Sequence, residues 1–421
     1  MMIDPSRILL LVVAVQILLI ENCYGQPQIT SLDSPIFISK FRNLRGLALN
    51  FIGFNGHDPH KFKINAKQMK LQNQYSTDMP FFCNTTGMRS SVPPNSVDKL
   101  RPGDIDIVGA IGDSLTAGNG AMATNILEVL VENKGISWSI GGQANWRQFL
   151  TLPNILKEFN PSLYGYPVKD GVSTSKSSRF NAAEGGAMSQ DIPHQARNLV
   201  KRMLSDPKVD VKKHWKVITI LIGGNDFCSN ICYTNPPEKA LEYHEKNILT
   251  ALRIFRDYLP RTYVNLVASP NVDILTKMKG KPSECVTMHV FECPCFVATR
   301  FVANNKRYVK LIEKWNRLQM EITTREEFHS KPDFTVEYQP FIANISIPER
   351  NGLTDFSYMS VDCFHLSQKG YARASNALWN NMLEPIGEKT LNWEHEFSNF
   401  KCPSQDMPYL RTLNNSLNGR L

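Results

Sequence analysis

The 421-residue chain lacks the marks of several large protein classes. No run of Lys or Arg exceeds two residues, so its basic excess is not the concentrated stripe of a nucleic-acid binder. Charged residues make up only 20% against 42% hydrophobic, a balance that excludes wholesale disorder, collagen-like repetition and a long coiled coil. No internal repeat occurs. Beyond the first 20 residues, no apolar run is long enough to span a membrane. The polar end, Asn414 to Leu421, lacks the hydrophobic tail of a lipid-anchor signal. Cys293 and Cys295 stand one residue apart with no His at zinc-ribbon intervals, which argues against a zinc site. The chain also has no Gly-x-Ser-x-Gly, so a strained nucleophile elbow is not expected.

What is present begins with a leader. Arg7 precedes an apolar stretch, Ile8 to Ile20, broken only by Gln16, and Cys23-Tyr24-Gly25 offers small residues where a signal peptidase reads. Residues 1–25 are therefore expected to be a secretory signal cleaved between Gly25 and Gln26. The net charge of +8 is spread along the chain, as on a solvated surface with a mild attraction to anionic lipid. Nine cysteines become eight once Cys23 leaves, an even number suited to disulfides in an oxidising compartment. Roughly 100 pairings are possible; Cys228 with Cys232 is the plausible local pair. Asn84, Asn344 and Asn414 head Asn-x-Ser/Thr sequons and become candidate glycosylation sites in a secreted chain. His57 and His60, in a Gly/Asp/Pro loop, read as surface residues.

Residues 26–100 read as an irregular extension with a helix near Asn65–Asn73, and 101–421 as the main domain. Asp104 to Ile111 reads as a short apolar strand, and Val217 to Ile222 as a continuous β-branched run typical of a strand buried on both faces. Thr262 to Ala268, Phe334 to Phe341 and Ile136 to Ile140 are further candidate strands. Helical spacing covers Pro193–Leu204, Pro237–Tyr258, Val302–Thr324 and Gln368–Leu383. Such alternation predicts a mainly parallel sheet with helices on both faces, and sites beyond the carboxyl ends of the strands. Residues 141–180, rich in Gly, Pro, Asn and Ser, read as a long functional loop or lid. Trp146, Phe149, Leu150, Leu163, Tyr164 and Tyr166 either cover a substrate or pack the loop itself.

Four motifs carry chemistry. Gly112-Asp113-Ser114-Leu115 follows the first strand and sets Ser114 at its carboxyl end, a place for a nucleophile. Gly223-Gly224-Asn225-Asp226 follows the second, where the Asn225 amide can meet a developing oxyanion. Asp362-Cys363-Phe364-His365 sets a carboxylate three residues before an imidazole; Asp362 can hold Nδ1–H while Nε2 faces a serine. Asn181 to Ala187 carries Gly185 and Gly186, either of which can supply a backbone N–H donor. Alone, each also reads as an ordinary turn, cap or loop.

The order Ser, Gly, Asn, His resembles the SGNH/GDSL hydrolase superfamily. Residues 104–410 are similar to its phospholipase B subfamily, through these blocks and through Leu152 to Lys157, Cys293-Pro294-Cys295 and Leu378 to Pro385. The resemblance implies a three-layer α/β/α sandwich with a flavodoxin-like, mainly parallel sheet. It implies Ser114 as nucleophile, His365 as base and then acid, and Asp362 as its orienting partner. Oxyanion donors would be Ser114, Gly186 and Asn225. It further implies a metal- and cofactor-independent, secreted esterase acting on phospholipids and lysophospholipids at a micelle or membrane surface. A single catalytic unit without a membrane anchor, and no nucleic-acid partner, are expected. A broad carboxylesterase or neutral-lipid lipase, and a catalytically silent lipid-binding protein, are the competing readings.

Overall fold

A computed structural model describes residues 46–417 apart from 48 and 50; the expected signal, 1–25, lies outside the described residues. Four strands form the central sheet: β1 Ile105–Gly112, β2 Trp215–Leu221, β3 Thr262–Val267 and β4 Phe334–Gln339. They pair in the order β1-β2-β3-β4, all parallel. The strands are apolar on both faces because helices cover both. The helices used below are α1 Pro59–Lys67, α2 Ser114–Ala117, α3 Leu152–Phe159, α4 Ile192–Ser205, α5 Lys239–Tyr258, α6 Ser283–Glu292, α7 Asn305–Thr323 and α8 Gln368–Leu383. α4 and α5 share one core layer with Ile107, Ile218 and Val264. α3 and α8 share the other with Val108, Val217 and Tyr263. The expected three-layer α/β/α sandwich is what forms.

The free edge of β1 is extended by single residues rather than by a full strand. Val108 N donates to Tyr164 O at 3.0 Å, and Ala110 N donates to Phe180 O at 3.0 Å. These parallel bridges at Tyr164 and Asn181 put an extra, broken strand ahead of β1. The chain thus leaves β1 to one side and later builds β2 on the other. This is the flavodoxin-like order, with its switch point between β1 and β2.

Four readings of the sequence are corrected here. Ile136–Ile140 is not a strand. Its backbone is satisfied locally, by Ile136 N to Asn133 O and Gly141 N to Ser137 O, within a Gly-rich buried loop that offers no ladder to a neighbour. The loop 141–180 is no exposed lid: Trp146, Phe149, Leu150 and Leu163 are core residues, and α3 lies within it. Cys228 and Cys232 do not pair with each other. Cys228 joins Cys293 and Cys232 joins Cys295. Four residues apart on one helical turn, the two thiols project side by side from one face, so each finds a partner across from it rather than along the chain. The expected early helix starts sooner than predicted, at Pro59, where Asp58 caps it and Pro stands in the first turn.

Residues 71–100 join the same core through Leu71, Met88, Val97 and Leu100. Cys83–Cys402 ties them to the far end of the chain. Among the described residues, no helix is long and apolar enough to cross a membrane.

Candidate active site

The site is assembled on two supports. The first is the pair of strand ends. β1 terminates at Gly112, whose φ of 150° and a would-be Cβ 2.3 Å from Leu221 O leave no room for a side chain. Gln195 on α4 pins that end, accepting from Gly112 N at 2.7 Å and donating to Gly112 O at 2.9 Å. Asp113 caps α2 by accepting from Leu115 N, and Ser114 becomes the first residue of that helix. β2 ends one step away, and Asn225 follows it. The Asn225 amide nitrogen donates to Ala187 O at 2.9 Å. Having two N–H groups, it keeps one for a ligand. Asp226 accepts from Ser189 N, so the turn carrying Gly185 and Gly186 is fastened to the strand end carrying Asn225.

Gly186 occupies the third position of that turn, with Ala187 N donating to Glu184 O and a φ of +79° that favours glycine. Neither Gly185 nor Gly186 lines the cleft beside Ser114. Beneath the turn, Lys134 donates to Ala183 O at 2.7 Å and pairs with Glu132 at 3.0 Å, both side chains fully buried.

The second support is the loop before α8. It is closed by Ser360 N donating to His365 O at 2.8 Å and by the Met359–Leu366 bridge. Cys363, at φ 54°, turns the chain so that Asp362 and His365 face each other. Asp362 Oδ2 accepts from His365 Nδ1 at 2.6 Å, and His365 Nε2 lies 2.8 Å from Ser114 Oγ. Asp362 Oδ1 accepts from the backbone N–H groups of Phe364 and His365, each at 3.0 Å. Burial alone would push the Asp362 carboxyl up; the adjacent His365 and these N–H groups outweigh it and hold the carboxyl below its usual range. On the strand-end support the balance falls the other way. Burial lifts both Asp113 and Asp226 to about 7 despite their hydrogen bonds.

Ser114 opens into an apolar cleft lined at its base by Ser114, Leu115 and Asn225. Its walls come from Val272, Leu275, Met278, Ile342, Ile345 and Leu366. An acyl chain suits such a lining. These wall residues were not anticipated, and the aromatic residues of 141–180 that competed for that role lie in the core or beside β1 instead. The structure brings Ser114, Asp362 and His365 into one hydrogen-bonded run and sets Asn225 beside Ser114 in the cleft.

Glu292, at the end of α6, was also missed. Its carboxyl approaches His365 Nδ1 at 3.8 Å. Glu292, Asp362 and His365 present ligand atoms within 4.8 Å of one another. Both imidazole nitrogens are engaged, however, so a cation would have to displace the hydrogen bonds of the Ser–His–Asp chain. Nothing in the sequence distinguishes Glu292 from any other acid at a helix end.

Of the sequons, Asn84 and Asn344 are exposed. Asn414 is half-buried, and its amide nitrogen, the atom a glycan would occupy, donates to Asp98 at 3.4 Å.

Comparison with known proteins agrees with this geometry. The family model described as GDSL-like Lipase/Acylhydrolase matches residues 108–378. The chain is 41% identical over 344 residues to a human protein named "Phospholipase B1, membrane-associated", covering 78% of this chain and 23% of that one. It is 38% identical to the mouse protein of the same name over 82% of this chain and 24% of the relative. The rat protein matches at 38% over 83% and 25%. The chain thus spans about a quarter of the length of these curated relatives.

Proposed function

This chain belongs to the GDSL-like lipase/acylhydrolase family, and from that premise we propose that it is a secreted esterase cleaving the acyl esters of phospholipids and lysophospholipids. The observation that carries the reading is the hydrogen-bonded run from Asp362 through His365 to Ser114 at the floor of an apolar cleft.

Ser114 Oγ attacks the acyl carbonyl while His365 Nε2 takes its proton. The imidazolium formed is held by Asp362. The carbonyl oxygen, now an anion, is met by the free N–H of the Asn225 side chain and by the backbone N–H groups of Ser114 and Gly186. His365 then gives its proton to the departing alcohol oxygen as the C–O bond breaks. Water repeats the sequence on the acyl-enzyme: His365 takes a water proton, the new tetrahedral centre collapses, and the proton returns to Ser114 as fatty acid leaves. Secretion fits four disulfides, which persist in oxidising compartments, and glycans belong on Asn84 and Asn344.

One feature favours a second reading, a broad carboxylesterase. The cleft lining contains no Lys or Arg to meet a phosphate. Fatty-acid release from a lysophospholipid, a diacyl phospholipid and a simple short-chain ester decides between them, with Ser114→Ala as control. Release from both phospholipids, lost in Ser114→Ala, is expected. Turnover of the simple ester alone would replace the phospholipid assignment with the carboxylesterase.

A further inference from the structure

We propose that Glu292 is a positioning residue of the catalytic unit: as a neutral acid it donates its carboxyl proton to Asp362 and holds that carboxylate against the Nδ1–H of His365. The inference rests on the Ser–His–Asp reading above and extends it by one member.

α6 is held against the catalytic loop from its first turn to its last. Cys285, in its first turn, is bonded to Cys363, between Asp362 and His365. One turn before its end, His289 lies 3.0 Å through Nε2 from Cys363 O. Burial holds the His289 ring below its usual value, so it is neutral, with Nε2–H as the donor. The helix is therefore clamped to the catalytic loop at two points, and its last residue falls against Asp362. A carboxyl oxygen of Glu292 lies within 4.8 Å of one of Asp362, and Glu292 Oε2 is buried with no hydrogen-bond partner among the described residues.

Two carboxylates in contact away from water do not both ionise. Their surroundings decide which keeps the proton. Asp362 receives three N–H groups. Among the described residues the only basic group within ion-pair distance of Glu292 is the His365 ring, already committed to Asp362. The other titratable neighbours are His289 on the same helix, Lys281 just before it, whose charge reaches His289, and Lys70, which feels the Asp362 charge but is itself depressed by burial. Glu292 thus takes the proton; burial and then the Asp362 charge lift its carboxyl to about 10. A neutral Glu292 leaves one negative charge behind His365. An ionised one would face Asp362 with a like charge in place of a donor and push that carboxylate away from Nδ1–H.

The test uses two readouts from about pH 6 to about pH 11: the rate at which an organophosphonate labels Ser114, and kcat and KM for an ester. The wild type should fall near pH 10 as Glu292 ionises. Glu292→Gln keeps an N–H donor that cannot ionise; it should lose less than about tenfold and lack the alkaline fall. Glu292→Leu removes the donor and should lose about 10- to 100-fold in kcat with KM unchanged. An alkaline fall retained in Glu292→Gln, or labelling of Glu292→Leu at the wild-type rate, would overturn the role. Should Glu292→Leu fail to fold, the Glu292→Gln profile still decides. No labelling of the wild type would remove the triad reading and this inference with it. Labelling without phospholipid turnover would remove the substrate assignment alone.

Discussion

The two sides of Ser114 are supported by different means. On one side, Ser114 and Asn225 stand at the ends of β1 and β2, and the parallel ladder holds them. Asp113 and Asp226, buried there, are lifted towards neutrality. On the other side, Asp362 and His365 sit on a loop with only one short bridge of its own, clamped from outside by Cys285–Cys363 and the α6 residues His289 and Glu292. There the carboxyl is held ionised. The contrast teaches a division of labour. A ladder positions backbone and tolerates changes around it, whereas a loop must be positioned by particular side chains, each of which becomes a point of failure.

The sharpest test of the loop side is Asp362→Asn. The amide would present N–H or a weaker acceptor to Nδ1, favouring the wrong imidazole tautomer, and kcat should fall about 10⁴-fold with folding intact. A loss under about tenfold would mean that Asp362 does not orient His365. On the strand side, Asn225→Ala should cost about 100- to 1000-fold in kcat, the usual effect of one oxyanion donor. Since Asn225 also donates to Ala187 O, the denaturation midpoint of Asn225→Ala, measured beside its kcat, separates the two roles. Activity near wild type in that variant would exclude the donor role.

The same division governs how far the molecule was legible in its sequence. β1 and β2 announce themselves as continuous apolar runs because both faces are buried, and the residues at their ends follow. α8 was bounded correctly because Ser367 caps it, accepting from Gly370 N. The pairing of Asp362 with His365 is local, three residues apart, and so was also readable. What escaped depends on contacts distant in sequence that carry no periodicity. The cleft walls combine residues near 272–278 with others near 342–347. The edge beside β1 is made of isolated bridges at Tyr164 and Asn181. The disulfides, at separations of 63 to 319 residues, obey no spacing rule.

The clamp itself can be released. Replacing Cys285 and Cys363 together by Ala should cost about 2–4 kcal/mol of stability and should also lower kcat, because the loop loses its external support. A matching double replacement of Cys83 and Cys402, whose bridge ties residues 71–100 to the end of the chain rather than to the Asp362–His365 loop, should cost comparable stability and leave kcat within about twofold. Equal kcat in the two double variants, measured well below their denaturation temperatures, would show that the loop needs no covalent clamp.

The smallest effect expected is in the pH dependence of stability on the strand side. Burial raises Asp226 from 3.8 to about 7, so the folded state binds this proton more tightly than the unfolded chain does. Its favourable contribution is full below about pH 4 and is lost as pH rises through about 7. The bound is about 4 kcal/mol, from some three pKa units at 1.36 kcal/mol each, and local relaxation should reduce it to about 1–2. Asp226→Asn keeps an oxygen to accept from Ser189 N and cannot ionise. Measured by urea denaturation, its stability relative to wild type should therefore climb from pH 4 to pH 8. A difference that stays flat with pH would mean that Asp226 is ionised throughout, and that the ladder side holds its carboxylates charged as the loop side does.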